Sequence, residues 1–182
     1  MANCITTDEV KSQARIDTSA DDTLIAQLIS AAESWAQKYR SEKFIQTECV
    51  DYFDCFDTKL ELLYSPVVSI TSIQYVDSNG DTQTLDSSYY TLCNKAVVGP
   101  GEIVEAYNMS WPSTRNVPDA VTVTYQAGYG EASTDVPNDI RQGVMLMVAH
   151  MYENREALAA IQLHEVPFGV SALLGIDRRI PV

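Results

Sequence analysis

The sequence predicts an α+β protein. An N-terminal helix pair and a long late helix pack as a helical bundle. An antiparallel β-rich insertion lies between them, and an extended C-terminal tail follows. Three observations carry this. Apolar residues recur at helical spacing over 17–40 and again after Pro137. Between them, residues 44–126 are rich in Val, Ile, Thr and Tyr and are cut by turn residues. The last stretch, HEVPFGVSALLGIDRRIPV, is interrupted by Pro167 and Gly169. The expected divisions are 1–43 with 136–163 as helical core, 44–135 as β-rich insertion and 164–182 as docking tail.

The first helix is announced by Thr6 and Glu9, the spacing of a capping box, and should run to about Arg15. The second should follow a cap at Thr18 or Ser19, with Asp21 and Asp22 favoured by the helix dipole. Leu24, Leu28, Ala32, Trp35 and Tyr39 form its stripe, which Ile25, Ile29 and Ala36 widen. Lys38 and Arg40 suit its C-terminal end.

Strands are expected at 47–53, 60–63, 67–76, 81–85, 89–93, 102–107 and 120–126. Asn79-Gly80 favours a hairpin turn after the third. An antiparallel sheet or small sandwich results. The late helix should be capped at Ser133, Thr134 or Asp135, hold Pro137 in its first turn and reach about Ala160.

Composition narrows function. The 182 residues carry a net charge of −13, which opposes docking on DNA phosphates or anionic lipid. No apolar run approaches the roughly 18 residues of a membrane span, and the N-terminus has no signal-peptide pattern. Cys4, Cys49, Cys55 and Cys93 lack CxxC spacing and are expected to be reduced thiols.

The late helix contains the one candidate catalytic pair, His150 and Glu153, neighbours on a helix surface. No HExxH surrounds them, Gly128-Tyr129-Gly130 is neither a GxGxxG nor a P-loop, and no GxSxG elbow occurs. Asp77-Ser78-Asn79-Gly80-Asp81 offers oxygen ligands but lacks the spacing and closing Glu of a calcium loop. No enzyme, metal or cofactor is expected.

Assembly reads better. Ile140, Val144, Met147, Val148, Met151 and Leu158 share one helical face, yet Met145, Leu146 and Ala149 point elsewhere. Such a helix needs cover on a second side. Arg155 falls among the apolar residues and must snorkel out or find a carboxylate. Met145, Leu146, Ala149 and Arg155 are therefore the candidate subunit interface. In the tail, Phe168, Val170, Leu173 and Leu174 with Arg178 and Arg179 suit docking on a partner.

Five segments and one pair, in order, resemble one family: EVKSQARIDTSADDTLIAQLISAAESWAQKY near the start, PVVSITSIQYVDSNGDTQTL, the pair Trp111-Pro112, VTVTYQAGYG, PNDIRQGVMLMVAHMYENRE, and VPFGVSALLGIDRR. Together they resemble the phage head–tail connector (adaptor) proteins, in the variant with a β-rich insertion. The resemblance implies a dodecameric ring under the portal protein of a tailed phage or phage-like particle. Such a ring extends the DNA channel and seats a head-closure or tail protein. DNA would pass without sequence-specific binding, no membrane or cofactor would be involved, and the C-terminal segment would dock on the portal. The location implied is the virion neck, after assembly in the host cytoplasm. The alternatives are a head-closure or tail-completion protein, a β-rich tail-associated binding module, and, from His150 and Glu153, a hydrolase.

Overall fold

The structure is a computed structural model and describes residues 3–94, 99–154 and 168–175. Among the described residues, four α-helices and seven strands follow in the order α1 (Thr7–Ala14), α2 (Asp22–Arg40), β1 (Thr47–Phe53), β2 (Lys59–Glu61), β3 (Val67–Val76), β4 (Thr82–Thr84), β5 (Tyr90–Asn94), β6 (Gly101–Glu105), β7 (Val121–Ala127), α3 (Asn138–Glu153) and α4 (Phe168–Gly175). The α+β class and antiparallel pairing stand as expected. The chain forms two compact units, Met1–Arg40 with Gly130–Val182, and Ser41–Tyr129. No helix among the described residues is long and apolar enough to cross a membrane.

In the helical unit, α1 starts at the predicted capping box. Thr6 Oγ1 accepts from Glu9 N, and Glu9 Oε2 accepts from Thr6 N. Arg15 ends the helix in a left-handed conformation with φ 54°. α2 begins at Asp22, later than expected, because the Thr18 hydroxyl accepts from Ala20 N and closes a turn ahead of it. Its buried centre is Ile25, Ile29, Ala32 and Ala36, while Leu24, Leu28, Trp35 and Tyr39 are half-buried flanks. The two small alanines allow neighbouring elements to approach closely at that line.

α3 buries Ile140, Gly143, Val144, Met147 and Val148. Within the described residues it runs to Glu153. Asn154 leaves helical geometry at φ −110°, ψ 71°, and its side-chain amide donates to His150 O at 2.9 Å, occupying a carbonyl of the last turn. Leu158 and the expected extension to Ala160 lie outside the described residues. The predicted caps at 133–135 instead form a separate 3₁₀ turn, and Pro137 is the residue just ahead of α3.

In the β unit, one sheet runs β1-β7-β3-β4 and the other β2-β6-β5, all antiparallel. β7 alternates strictly, with Val121, Val123, Tyr125 and Ala127 buried and Thr122, Thr124 and Gln126 half-exposed. One core joins the sheets: Cys49, Leu60, Leu62, Val67, Ile73, Leu85 and Ile103 pack with those β7 residues. Tyr125 is fully buried, and its hydroxyl donates to Asp51 Oδ2 at 2.9 Å while accepting from Tyr64 N at 3.1 Å. The β3–β4 turn is the Asn79-Gly80 hairpin, with Gly80 at φ 97°. Asp77 Oδ1 accepts the backbone N–H groups of Asn79, Gly80 and Asp81 within 3.1 Å. The oxygen ligands that suggested calcium thus include one already engaged by the turn.

Candidate functional site

The site builds from the side of α3 that turns away from the bundle centre. Met145, Leu146 and Ala149 are half-buried there. Leu146 and Ala149 join His150 and Glu153 along one wall of an open groove of about 580 Å³. Gln13, Ala14 and Arg15 from the end of α1 form a second wall, and Gly169 and Val170 of α4 form a third. Apolar and polar side chains share its lining. Arg155, the fourth residue expected at this surface, lies outside the described residues.

α4 covers the neighbouring part of α3. The tail is expected to be extended, but residues 168–175 form a helix with Val170 and Leu174 buried. Their i, i+4 spacing puts both on one face. Gly143 makes room for Leu174: a Cβ there would stand 2.9 Å from Leu174 Cγ and Cδ2. Arg40, buried to 3% exposure, donates from Nη1 to Leu174 O at 2.8 Å. The charge expected to close α2 therefore also caps α4, where the dipole favours a cation. Val170 and Leu174 are engaged inside their own unit. Leu173 is half-buried, and the Phe168 side chain, Arg178 and Arg179 lie outside the described residues.

His150 and Glu153 do not meet. His150 is exposed, and its Nδ1 lies 3.3 Å from Asn154 Nδ2 rather than against Glu153. Glu153 is exposed as well. Among the described residues no group of three His, Cys, Asp or Glu side chains could hold a metal ion.

A polar latch fixes the bundle that carries the groove. The N-terminal segment is buried at Cys4 and Ile5. Cys4 N–H donates to Glu33 Oε1 and Oε2 at 3.3 and 3.4 Å, and Cys4 O accepts from Arg141 Nε at 3.1 Å. Arg141 also pairs with Glu9. Lys11 Nζ reaches Asp22 Oδ1 at 2.8 Å, and Tyr152 Oη donates to Asp21 Oδ2 at 2.6 Å. Burial pushes the Glu33 carboxyl up, against the lowering effect of the Cys4 hydrogen bonds. Burial, then the Glu33 charge, pushes the Cys4 thiol up to about 12, so it is a packed thiol and not a nucleophile.

Glu33 gives a pH prediction. Its folded-state pKa is raised, so folding favours the protonated acid. The stability this provides is present in full below the ordinary value of 4.5 and is lost as pH rises through the raised folded value. Glu33→Gln should therefore melt higher than wild type at neutral pH, and the gap should close below pH 4.5. Thermal melts across that range check this, and a pH-independent gap would contradict it.

Sequence reasoning finds Leu146 and Ala149 but not Arg15, Gly143, Arg40 or Glu33. A glycine inside a helical pattern and a glutamate on an apolar face are the signals that could have pointed to Gly143 and Glu33.

The comparisons fit this geometry. The family model described as head completion protein matches residues 3–161. A chain in the neck of an empty gene transfer agent (GTA) particle computed with C6 symmetry aligns with TM-score 0.79 and 23% identity, covering 98% of this chain and 91% of that one. A chain of the native GTA virion aligns with TM-score 0.80 and 23% identity, covering 100% and 94%. One in the native GTA neck computed with C12 symmetry aligns with TM-score 0.74 and 23% identity, covering 94% and 89%. At that identity the likeness is one of fold. No curated protein matches the chain. The family match takes in both sheets, α1, α2, α3 and the latch that joins those helices, and the chain belongs to the head completion protein family.

Proposed function

We propose that the protein is a structural head–tail connector of a tailed phage or phage-like particle. It forms a ring beneath the portal, continues the DNA channel and joins head to tail in the virion neck, without catalysis. One observation carries the reading: α3 keeps Leu146 and Ala149 along an open groove, in a chain of a head completion family. Apolar wall of this kind is interface awaiting cover. Necks computed with C6 and C12 symmetry, which hold chains of this fold, support ring assembly. The net charge of −13 suits a channel wall past which DNA slides.

In this reading Met145, Leu146, Ala149 and Arg155 serve the contact between subunits of a dodecamer. The tail serves the portal. Val170 and Leu174 hold α4 on α3, while Phe168, Leu173, Arg178 and Arg179 are left for docking. A head-closure or tail protein takes the remaining end of the ring.

Mass measurement of the purified chain, alone and with portal protein, tests the ring. A ring in either setting supports it, and a monomer in both refutes it. Truncation after Gly175 tests the tail, because it removes the arginines and spares α4. Head–tail joining should fall at least tenfold in an assembly assay, and undiminished joining would refute portal docking.

A further inference from the structure

The β unit displays a rigid apolar knob. After β6 the chain turns tightly, with Met109 N donating to Ala106 O at 3.0 Å and Asn108 left-handed at φ 61°. Ala106 N donates to Tyr89 O at 2.9 Å, which fixes one side of the turn. Trp111 fixes the other. It stacks on Phe56 with centroids 4.7 Å apart and planes 8° apart. Its Nε1 donates to Asp57 O at 2.9 Å, and its backbone N donates to Glu105 Oε1 at 2.8 Å. The product of this anchoring is Tyr107 at 92% exposure, with Met109 and Tyr89 partly exposed beside it. An aromatic held out on a braced turn gains nothing for the fold of its own chain. Tyr and Met are enriched at interface cores, and bracing lowers the ordering cost of binding.

The helical unit carries the matching socket. Its lining is mixed: Leu146 and Ala149 present apolar carbon, and Gln13, Arg15, His150 and Glu153 supply charge and hydrogen-bonding groups. We infer that the turn 106–110 of one copy inserts Tyr107 and Met109 into the α1–α3–α4 groove of the next copy. This rests on the ring reading above and names its contact. The chemistry is complementary. The Tyr107 ring lies on Ala149 and Leu146, the Arg15 guanidinium meets the ring face, and Glu153 or His150 accepts a hydrogen bond from the phenol. Met109 fills irregular space as an unbranched thioether can. The contact is heterologous, one surface of each copy against a different surface of the next, and contacts of that kind close into rings.

The test uses full-length chain in the assembly reaction that yields the wild-type oligomer. Tyr107→Ser and Ala149→Trp should each cut ring yield at least tenfold while their melting temperatures stay near wild type. A one-to-one mixture of the two variants retains one intact knob and one intact groove. It should yield heterodimers and no rings. As a second measurement, a photoreactive benzoylphenylalanine at position 107 in assembled particles should give a ladder of cross-linked copies. The cross-linked peptide should contain residues 146–153. Normal rings from Tyr107→Ser, a mixture that stays monomeric, or cross-links mapping to another protein or another surface would each overturn the contact. Those outcomes differ from failure of the ring reading itself, in which wild type also remains monomeric alone and with portal.

Discussion

Gly128→Ala is expected to destabilise the β unit by about 3 kcal/mol or more, combining a glycine-only backbone region with forced repacking. Gly128 follows β7 at φ 139°, where an L side chain is strained whatever the space around it. The space is also missing. A Cβ would stand 2.5 Å from Gln46 N, 2.6 Å from Gln46 Cα and 2.7 Å from Ile45 C. All three are backbone atoms, so no rotamer change relieves the contact. Two backbone bonds hold the approach: Gly128 N donates to Pro66 O at 2.9 Å, and Tyr129 N to Phe44 O at 3.2 Å. Alanine must push the 44–46 segment away from the end of β7, beside the first pair of β1, Thr47 with Ala127. Urea unfolding measures the loss as a lower midpoint. Gly175→Ala is the control, because a Cβ there meets nothing within 4 Å. If Gly128→Ala stays within about 0.5 kcal/mol of wild type, the size of an ordinary surface change, the close approach is wrong.

That glycine marks where local sequence stops informing. The Gly-Tyr-Gly stretch read only as the absence of a phosphate loop, since its job depends on a backbone eighty residues earlier. Strands β1 and β3, by contrast, run over 47–53 and 67–76, the bounds their β-branched runs predict. The capping box of Thr6 and Glu9 was equally legible, because both partners lie within one turn. α2 was legible as an amphipathic helix but not in its facing. Leu24, Leu28, Trp35 and Tyr39 repeat at the same period as Ile25, Ile29, Ala32 and Ala36, one residue away, and only what packs against them decides which line is central. At the candidate surface, helical projection isolates Leu146 and Ala149 from residues within two turns. It could not supply Arg15 or Gly169, which wall the groove from distant segments. Pro167 and Gly169 are local breakers, and the helix that follows them exists through a docking site on α3.

That dependence sets the other large expected effect. An eight-residue helix is too short to persist alone, so α4 is folded by what it touches. Leu174 is fully buried against Gly143, and its carbonyl receives the Arg40 guanidinium. Leu174→Ala removes the apolar contact and opens a cavity, a change that costs about 2–5 kcal/mol at buried leucines. The helix cannot absorb that loss by unfolding the bundle, because Val10, Ile29, Val144 and Val148 remain buried beside the latch. It should detach locally. Hydrogen exchange should show amides of 168–175 losing protection while those of α2 and α3 keep theirs. Protection retained in α4 would mean that docking does not rest on Leu174. The functional consequence separates placement from recognition. If α4 aims the segment beyond it at the portal, Leu174→Ala and truncation after Gly175 should both lose head–tail joining. Only the first should lose α4 protection. Joining that survives Leu174→Ala with α4 unprotected would put recognition in the residues after Gly175 alone, with the helix as a tether rather than a guide.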